Sequence, residues 1–191
     1  MADRGKSVFL VRHGATAWSE SGRHTGRTDL PLVEKGRQQA RELARLLAGR
    51  SFVTVLTSPL QRALETCRIA GFDPPAEVCD DLREWDYGAY EGLTTAEIRA
   101  RCPGWTIWDA APPEGETLAQ VAARAERVIA RARDGAGDVL IFAHAHLLRV
   151  LAACWCELPA VEGRRLPLET GALCSLCFER ETPGLLLWNA R

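Results

Sequence analysis

The sequence predicts an α/β domain built on a mainly parallel sheet. Short apolar runs alternate along its 191 residues with segments carrying the apolar stripe of a helix, the pattern of strands joined by covering helices. Several of those runs end abruptly in charged or imidazole side chains. No internal repeat or low-complexity linker interrupts the alternation, so residues 1–191 read as one domain.

The first strand is expected at Ser7–Arg12, inside "VFLVRHGATAW", where four apolar residues run straight into Arg12, His13 and Gly14. From Glu34 to Ala48, residues Ala40, Leu43, Ala44 and Leu47 share one face, which predicts an amphipathic helix. Val53–Thr57 reads as the second strand. "SPLQ" follows it, with Ser58 as N-cap, Pro59 at the first helical position and Gln61 closing a capping box. "TTAE" offers another box, Thr94 with Glu97. The aromatic and proline-rich stretch from Tyr87 to Pro113 is the least regular part and reads as an excursion above the sheet. Leu118, Val121, Ala122, Ala125, Ile129 and Ala132 give a second helical stripe. Strands are then expected at Val139–Ala143, Leu173–Phe178 and Leu185–Trp188.

Composition narrows the function. The formal net charge is −1, from 24 basic and 25 acidic residues, so no global field favours nucleic acid or an anionic membrane, and an anion site must be local. No apolar run approaches the ~20 residues needed to span a bilayer. The N-terminus "MADRGKSVFLV" lacks a signal-peptide core, so the expected location is the cytoplasm. The seven cysteines stand at 67, 79, 102, 154, 156, 174 and 177. Cys174 and Cys177 lie in a strand-like run where positions three apart face opposite ways, and "CWC" has no partner pair at zinc-finger spacing. They read as small buried hydrophobes, and no metal site is expected.

Three strand ends line up. The first carries Arg12 and His13, the second leads into a helix whose first turn carries Arg62, and "DVLIFAHAH" ends in His144. Ligands of open α/β sheets bind beyond the carboxyl ends of the strands, so the fold would gather two arginines and two histidines at one edge. Guanidinium forks match tetrahedral oxyanions, and fixed cations stabilise the charge that spreads over a phosphoryl group in transfer. A histidine among such cations is driven toward its neutral form and is a competent nitrogen nucleophile. An alkoxide leaving group would need an acid. Spacing alone does not select Glu84 for that part from Asp80, Asp81, Asp86 and Glu91.

With those residues in view, "LVRHGATAW", "SPLQRALET", "LREWDYGAYEG" and "FAHAHLLRVL" resemble, in order, four signature segments of the histidine phosphatase superfamily, the phosphoglycerate mutase-like proteins. The resemblance implies a three-layer α/β/α sandwich with a mostly parallel sheet, no metal or other cofactor, and frequent homodimers. It implies His13 as the residue that becomes phosphohistidine. Arg12, Arg62 and His144 would complete the phosphate pocket, Glu84 would be the proton donor, and Thr25 and Gly26 would lie in a loop on the substrate side. "WSESGRHTGRTDLPL" resembles the branch with acid phosphatases and sugar bisphosphatases such as sedoheptulose bisphosphatase. Three positions depart from the usual pattern. Ser19 stands where many members have Asn and can still donate to a phosphate oxygen. Ala145 follows the second histidine where Gly is usual, at a cost of ~1 kcal/mol if that position needs positive φ. Val33 replaces a common capping Thr, worth ~1 kcal/mol of helix stability.

Around this set, His146 reads as a helix-opening residue that caps or solvates, and His24 as part of the substrate-side loop. Arg149 reads as one member of a helix-surface ion pair. "WTIWDAAPPEGET" reads as core packing, with Glu114 and Glu116 an acidic pair at a helix start. The expected reaction is hydrolysis of small phosphomonoesters such as sugar phosphates. A mutase would have to shield its phosphohistidine from water, and both the middle excursion and the stretch after "LLLW" are short. The alternatives are a mutase-type phosphoryl transferase and a non-catalytic binder of phosphorylated ligands. A metal triad of His13, His144 and Glu84 is disfavoured by the repulsion of two arginines.

Overall fold

A computed structural model describes residues 6–74, 76–134 and 136–191. Part of the N-terminal stretch read above, residues 1–5, lies outside the described residues. The fold is mixed α/β, with one six-stranded sheet. Its elements are β1 (Val8–Arg12), α1 (Ala17–Glu20), α2 (Glu34–Leu46), β2 (Thr54–Thr57), α3 (Gln61–Ile69), β3 (Glu77–Val78), α4 (Thr95–Arg99), α5 (Leu118–Arg133), β4 (Val139–Ala143), α6 (Ala145–Trp155), β5 (Leu173–Glu179) and β6 (Thr182–Ala190). Strand order is β3-β2-β4-β1-β5-β6. The first four strands are mutually parallel, whereas β5 runs antiparallel to β1 and β6 antiparallel to β5.

The three layers follow from alternation along the strands. Val8 and Leu10 of β1 point to one face, packing with Val121 and Val128 of α5 and Leu147 and Leu151 of α6. Phe9 and Val11 point to the other, with Leu43 and Leu47 from α2 and its end and Cys67 from α3. Both faces are therefore covered, and the central strands read as unbroken apolar runs. The whole of β4 is buried. Among the described residues no helix is long and apolar enough to cross a membrane.

Several local expectations change. Ser58 is not an N-cap: Leu60, in extended conformation (φ −74°, ψ 134°), takes that position, and α3 opens without a side-chain cap. Gln61 reaches sideways instead, its Nε2 donating to the carbonyl of Asp29. The Thr94–Glu97 capping box forms at α4, and equivalent boxes form at α1 (Thr16–Ser19) and α5 (Thr117–Gln120). Val33 occupies the α2 N-cap and makes no capping bond. Ala145 is the first residue of α6 and is absent from the positive-φ set, so the expected strain does not arise. Cys67 and Cys174 are buried, with burial pushing their thiols up to about 12 and about 11, while Cys102 is exposed, unlike the buried hydrophobe expected. Trp105 and Ile107 are buried in the core, as read from the Trp-rich stretch.

Candidate active site

The parallel register sets the site. Arg12 of β1 lies opposite Ala143 of β4, so His13 and His144, each one residue beyond its strand, emerge side by side with ring centroids 5.1 Å apart. Thr57 of β2 lies opposite Phe142, which places Ser58 at the same edge and the first turn of α3, with Arg62, beneath it. Gly14 completes the turn after β1 because nothing larger fits: a Cβ there would stand 2.3 Å from the Gly36 carbonyl oxygen. α2 is thereby seated directly against the loop that carries His13.

His13 is 5% exposed. Its Nδ1 lies 2.7 Å from the Gly14 carbonyl oxygen. A carbonyl only accepts, so Nδ1 carries the proton and Nε2 keeps a free lone pair. Burial, then Arg62, then Arg12 hold this imidazole well below its usual value. Desolvation is thus the largest cause, ahead of either guanidinium group. Arg12 itself is pushed down to about 10 by burial, opposed by Glu84 and Tyr87, and remains cationic at neutral pH. Its Nη1 donates to the Leu168 carbonyl at 2.5 Å, while Nε is buried without a hydrogen-bond partner among the described residues.

Arg62 is fully buried. Its Nε donates to His144 Nδ1 at 3.2 Å, Nη1 to the Thr28 carbonyl, and Nη2 to the carbonyls of Thr25 and Gly26. The donor at Nδ1 fixes the neutral tautomer of His144, whose Nε2–H reaches Ser58 Oγ at 2.7 Å. Burial and then Arg62 keep His144 well below the ordinary histidine value. Arg62 is therefore both the charge behind the two histidines and the anchor of the 25–28 loop. Glu84, 7% exposed, accepts from the backbone N–H groups of Trp85, His146 and Leu147, at 2.9, 3.0 and 3.0 Å. Its carboxylate thus sits on the opening turn of α6, the favourable end of a helix for negative charge.

A cavity of about 210 Å³ opens beside His13. Arg12, Ser19, Thr25 and Ala145 line it with His13, as does the exposed Gly22 at its rim. Arg62 and His144 lie behind that lining. Gly26 and Glu84 face a second, smaller cavity of about 110 Å³. A side chain on Gly26 would meet the Trp85 carbonyl oxygen at 2.5 Å, so the loop presses on the residue next to Glu84. Ser19 lines the first cavity with its hydroxyl already given to the Thr16 carbonyl at 2.9 Å.

Other lining residues were not selected from sequence. His146, read as a capping or solvated residue, is a wall of the cavity: its Nδ1 lies 2.6 Å from Tyr87 Oη, and burial followed by Arg149 and His24 keeps it well below the normal imidazole range. His24 stands parallel to it with centroids 6.5 Å apart, and Tyr87 packs edge-on to both. Arg23, Thr16 and Thr95 line the remainder. The pairing of a buried tyrosine with "HAH" is a signal visible only once the two loops meet. Arg149 donates to the carbonyls of Gly163 and Arg164 and lies over the Trp108 ring at 4.7 Å, instead of forming the expected surface ion pair. Glu116 is likewise no simple helix-start charge: it holds Arg124 through both oxygens. Of the considered metal triad, His13 Nδ1, both nitrogens of His144 and the Glu84 carboxylate already have protein partners, and among the described residues no group of three or more His, Cys, Asp or Glu side chains is placed to hold a metal ion.

Comparison with known proteins adds three findings. The family model described as histidine phosphatase superfamily (branch 1) matches residues 8–191. An acid phosphatase of Mycobacterium tuberculosis is 42% identical over 184 residues, covering 94% of this chain and 90% of that protein, and a sedoheptulose 1,7-bisphosphatase of Saccharomyces cerevisiae is 37% identical over 77% of this chain and 66% of its own. The solved structure of the product of a Mycobacterium tuberculosis open reading frame superposes with a TM-score of 0.92 at 38% identity, covering 98% of both chains.

Proposed function

The chain belongs to the histidine phosphatase superfamily, branch 1, and is a phosphatase of that family; from this premise we propose that it hydrolyses small polar phosphomonoesters through a phosphohistidine on His13. The observation that carries the reading is the His13 tautomer. With Nδ1–H tied to the Gly14 carbonyl, the lone pair of Nε2 is free in a cavity that also holds Arg12.

In the first step Nε2 of His13 attacks phosphorus and the P–O bond to the alcohol breaks. Glu84, protonated, gives its proton to the departing oxygen. Arg12, Arg62 and His144 stabilise the charge on the transferring group. In the second step the Glu84 carboxylate takes a proton from water as its oxygen attacks the phosphohistidine. The N–P bond breaks, and His13 and the acid are restored with release of inorganic phosphate. The hydroxyl, imidazole and guanidinium groups of Thr16, Thr25, His24 and Arg23 in the cavity lining support a small polar leaving group. Thr25, which lines the cavity, would face the ester, and Gly26 would shape the loop behind it. Ser19 would join the phosphate contacts by rotating its hydroxyl off Thr16, and Ala145 contributes the first turn of α6.

The test is phosphate release from a panel of small phosphomonoesters at pH 5.5 with EDTA present, comparing wild type with His13→Ala. The expected outcome is release that survives EDTA and is lost in the variant. Release persisting in His13→Ala would overturn the mechanism, and isomerisation of 3-phosphoglycerate without release would make the enzyme a mutase.

A further inference from the structure

Glu84 lies on an irregular segment between β3 and α4, with only a single-turn 3-10 helix (Asp80–Leu82) before it. A general acid on such a segment has to be held to a fraction of an ångström by something outside it. Its side-chain oxygens are positioned by α6, as described, but its backbone is positioned from the opposite side, by α5. Arg124 of α5 has five N–H donors, and all five have partners. Nε donates to Glu116 Oε1 at 2.8 Å and one Nη2 hydrogen to Glu116 Oε2 at 2.8 Å. Nη1 donates to the carbonyls of Asp81 at 2.7 Å and Arg83 at 2.9 Å. The second Nη2 hydrogen faces the carbonyl of Glu84 itself at 3.5 Å, the longest of the set.

Glu116 closes the clamp from its other side. Its Oε2 accepts from the Asp86 N–H at 3.0 Å, and its carbonyl accepts from Trp85 Nε1 at 2.8 Å. The side chains of one ion pair thus tie residues 81, 83, 84 and 86, and the Glu116 backbone adds Trp85. It is also half-shielded, with the Arg124 and Glu116 side chains 14% and 21% exposed, so water competes weakly for these bonds. Arg124 and Glu84 line the same small cavity. We propose that Arg124, locked by Glu116, is a positioning residue for catalysis: it fixes the backbone that presents the Glu84 carboxyl to the leaving oxygen. A planar fork is required, because a lysine ammonium cannot address two carboxylate oxygens and successive carbonyls together.

This inference rests on Glu84 being the acid, and leaving-group dependence separates the two claims. An acid matters for an alkyl ester such as glycerol 3-phosphate and little for p-nitrophenyl phosphate, whose phenolate departs unaided. The comparison takes kcat and KM for both esters in wild type, Glu84→Gln, Arg124→Lys, Arg124→Gln and Glu116→Gln. Arg127→Gln serves as control, since Arg127 pairs with Asp81 from the same helix without touching residues 83–86. Glu84→Gln should lose at least tenfold more kcat on the alkyl than on the aryl ester. Both Arg124 variants should show the same split, Glu116→Gln a smaller one, and Arg127→Gln none. Glu84→Gln combined with Arg124→Gln should be little worse than Glu84→Gln alone, as expected of groups acting through one step.

If Glu84→Gln shows the split while the Arg124 and Glu116 variants lose both activities equally, or neither, Arg124 is a structural residue only and the proposal is overturned. If Glu84→Gln itself shows no split, the assignment of the acid falls and this inference with it. Should Arg124→Gln fail to fold, Glu116→Gln carries the same test.

Discussion

His144 illustrates how one side chain is defined by what surrounds it. A buried imidazole with Arg62 on one nitrogen can only accept there, so its other nitrogen must donate, and Ser58 is the acceptor the fold supplies. Ser58 therefore serves the histidine and not the helix that follows it. If the two act as a pair, Ser58→Ala leaves a buried N–H without an acceptor and should cost about 1–3 kcal/mol of stability. His144→Phe removes that donor, so the double variant Ser58→Ala/His144→Phe should be more stable than the sum of the single losses predicts, by about 1 kcal/mol. Urea unfolding of the four proteins measures this, and strictly additive losses would mean the hydrogen bond contributes nothing. The same logic applies to His13, whose Nδ1 must donate because its partner is the Gly14 carbonyl.

Among the elements, α2, like α3, begins without a side-chain cap. Its N-cap is Val33, in extended conformation (φ −82°, ψ 169°) and without a side-chain bond to the first turn. Val33→Thr supplies the missing acceptor and should stabilise the protein by about 1 kcal/mol, which for a chain of this size raises Tm by about 2–4 °C. A calorimetric scan decides it, and an unchanged Tm would show that the first turn is satisfied otherwise. How far elements could be read from sequence followed how strongly they bury a pattern. β1, β2 and β4 emerge within a residue of expectation, because central strands are nearly continuous apolar runs. β3 was not legible, being two exposed edge residues, Glu77 and Val78, with no alternation to detect. β6 extends well beyond Leu185–Trp188 because its outer residues are held by the β5 ladder and not by apolar burial. "SPLQ" matched a capping box in letters, but Leu60 stays extended, so the match had no helix to cap. At the site, Arg12, His13, Arg62 and His144 could be anticipated from strand ends alone. Glu84 was singled out only by family resemblance, and the wall of His24, Tyr87 and His146 arises from loops far apart in the chain.

At the scale of the whole molecule, His13, His144 and His146 are a shared thermodynamic liability. All three are held well below the ordinary histidine value of 6.5, with burial the largest cause for each. In the unfolded chain they regain that value. Between the native and unfolded values the unfolded state binds more protons, so the stability of the native state rises with pH through this window and is lost as pH falls below about 6.5. Each histidine adds up to about 1.4 kcal/mol per pH unit, and the three together up to about 4. Asp81 and Glu97, lowered by hydrogen bonds to Arg127 and to Thr94 respectively, lose their contribution only around and below ordinary carboxylate values, so the histidine limb comes first on acidification. Denaturant unfolding from pH 7.5 to 5 should accordingly show stability falling steeply below about 6.5. His146→Asn, which keeps a polar partner for Tyr87, should reduce the slope by up to about 1.4 kcal/mol per unit. A flat profile would mean that the native histidines take up protons as readily as the unfolded ones, and are not held down by burial. On the proposed mechanism two demands oppose each other: a protonated acid would be favoured by low pH, while burying the neutral histidines costs the fold stability there. Loss of activity on prolonged incubation below pH 6 should therefore track unfolding, and phosphate, which the proposed site would bind only when folded, should slow it.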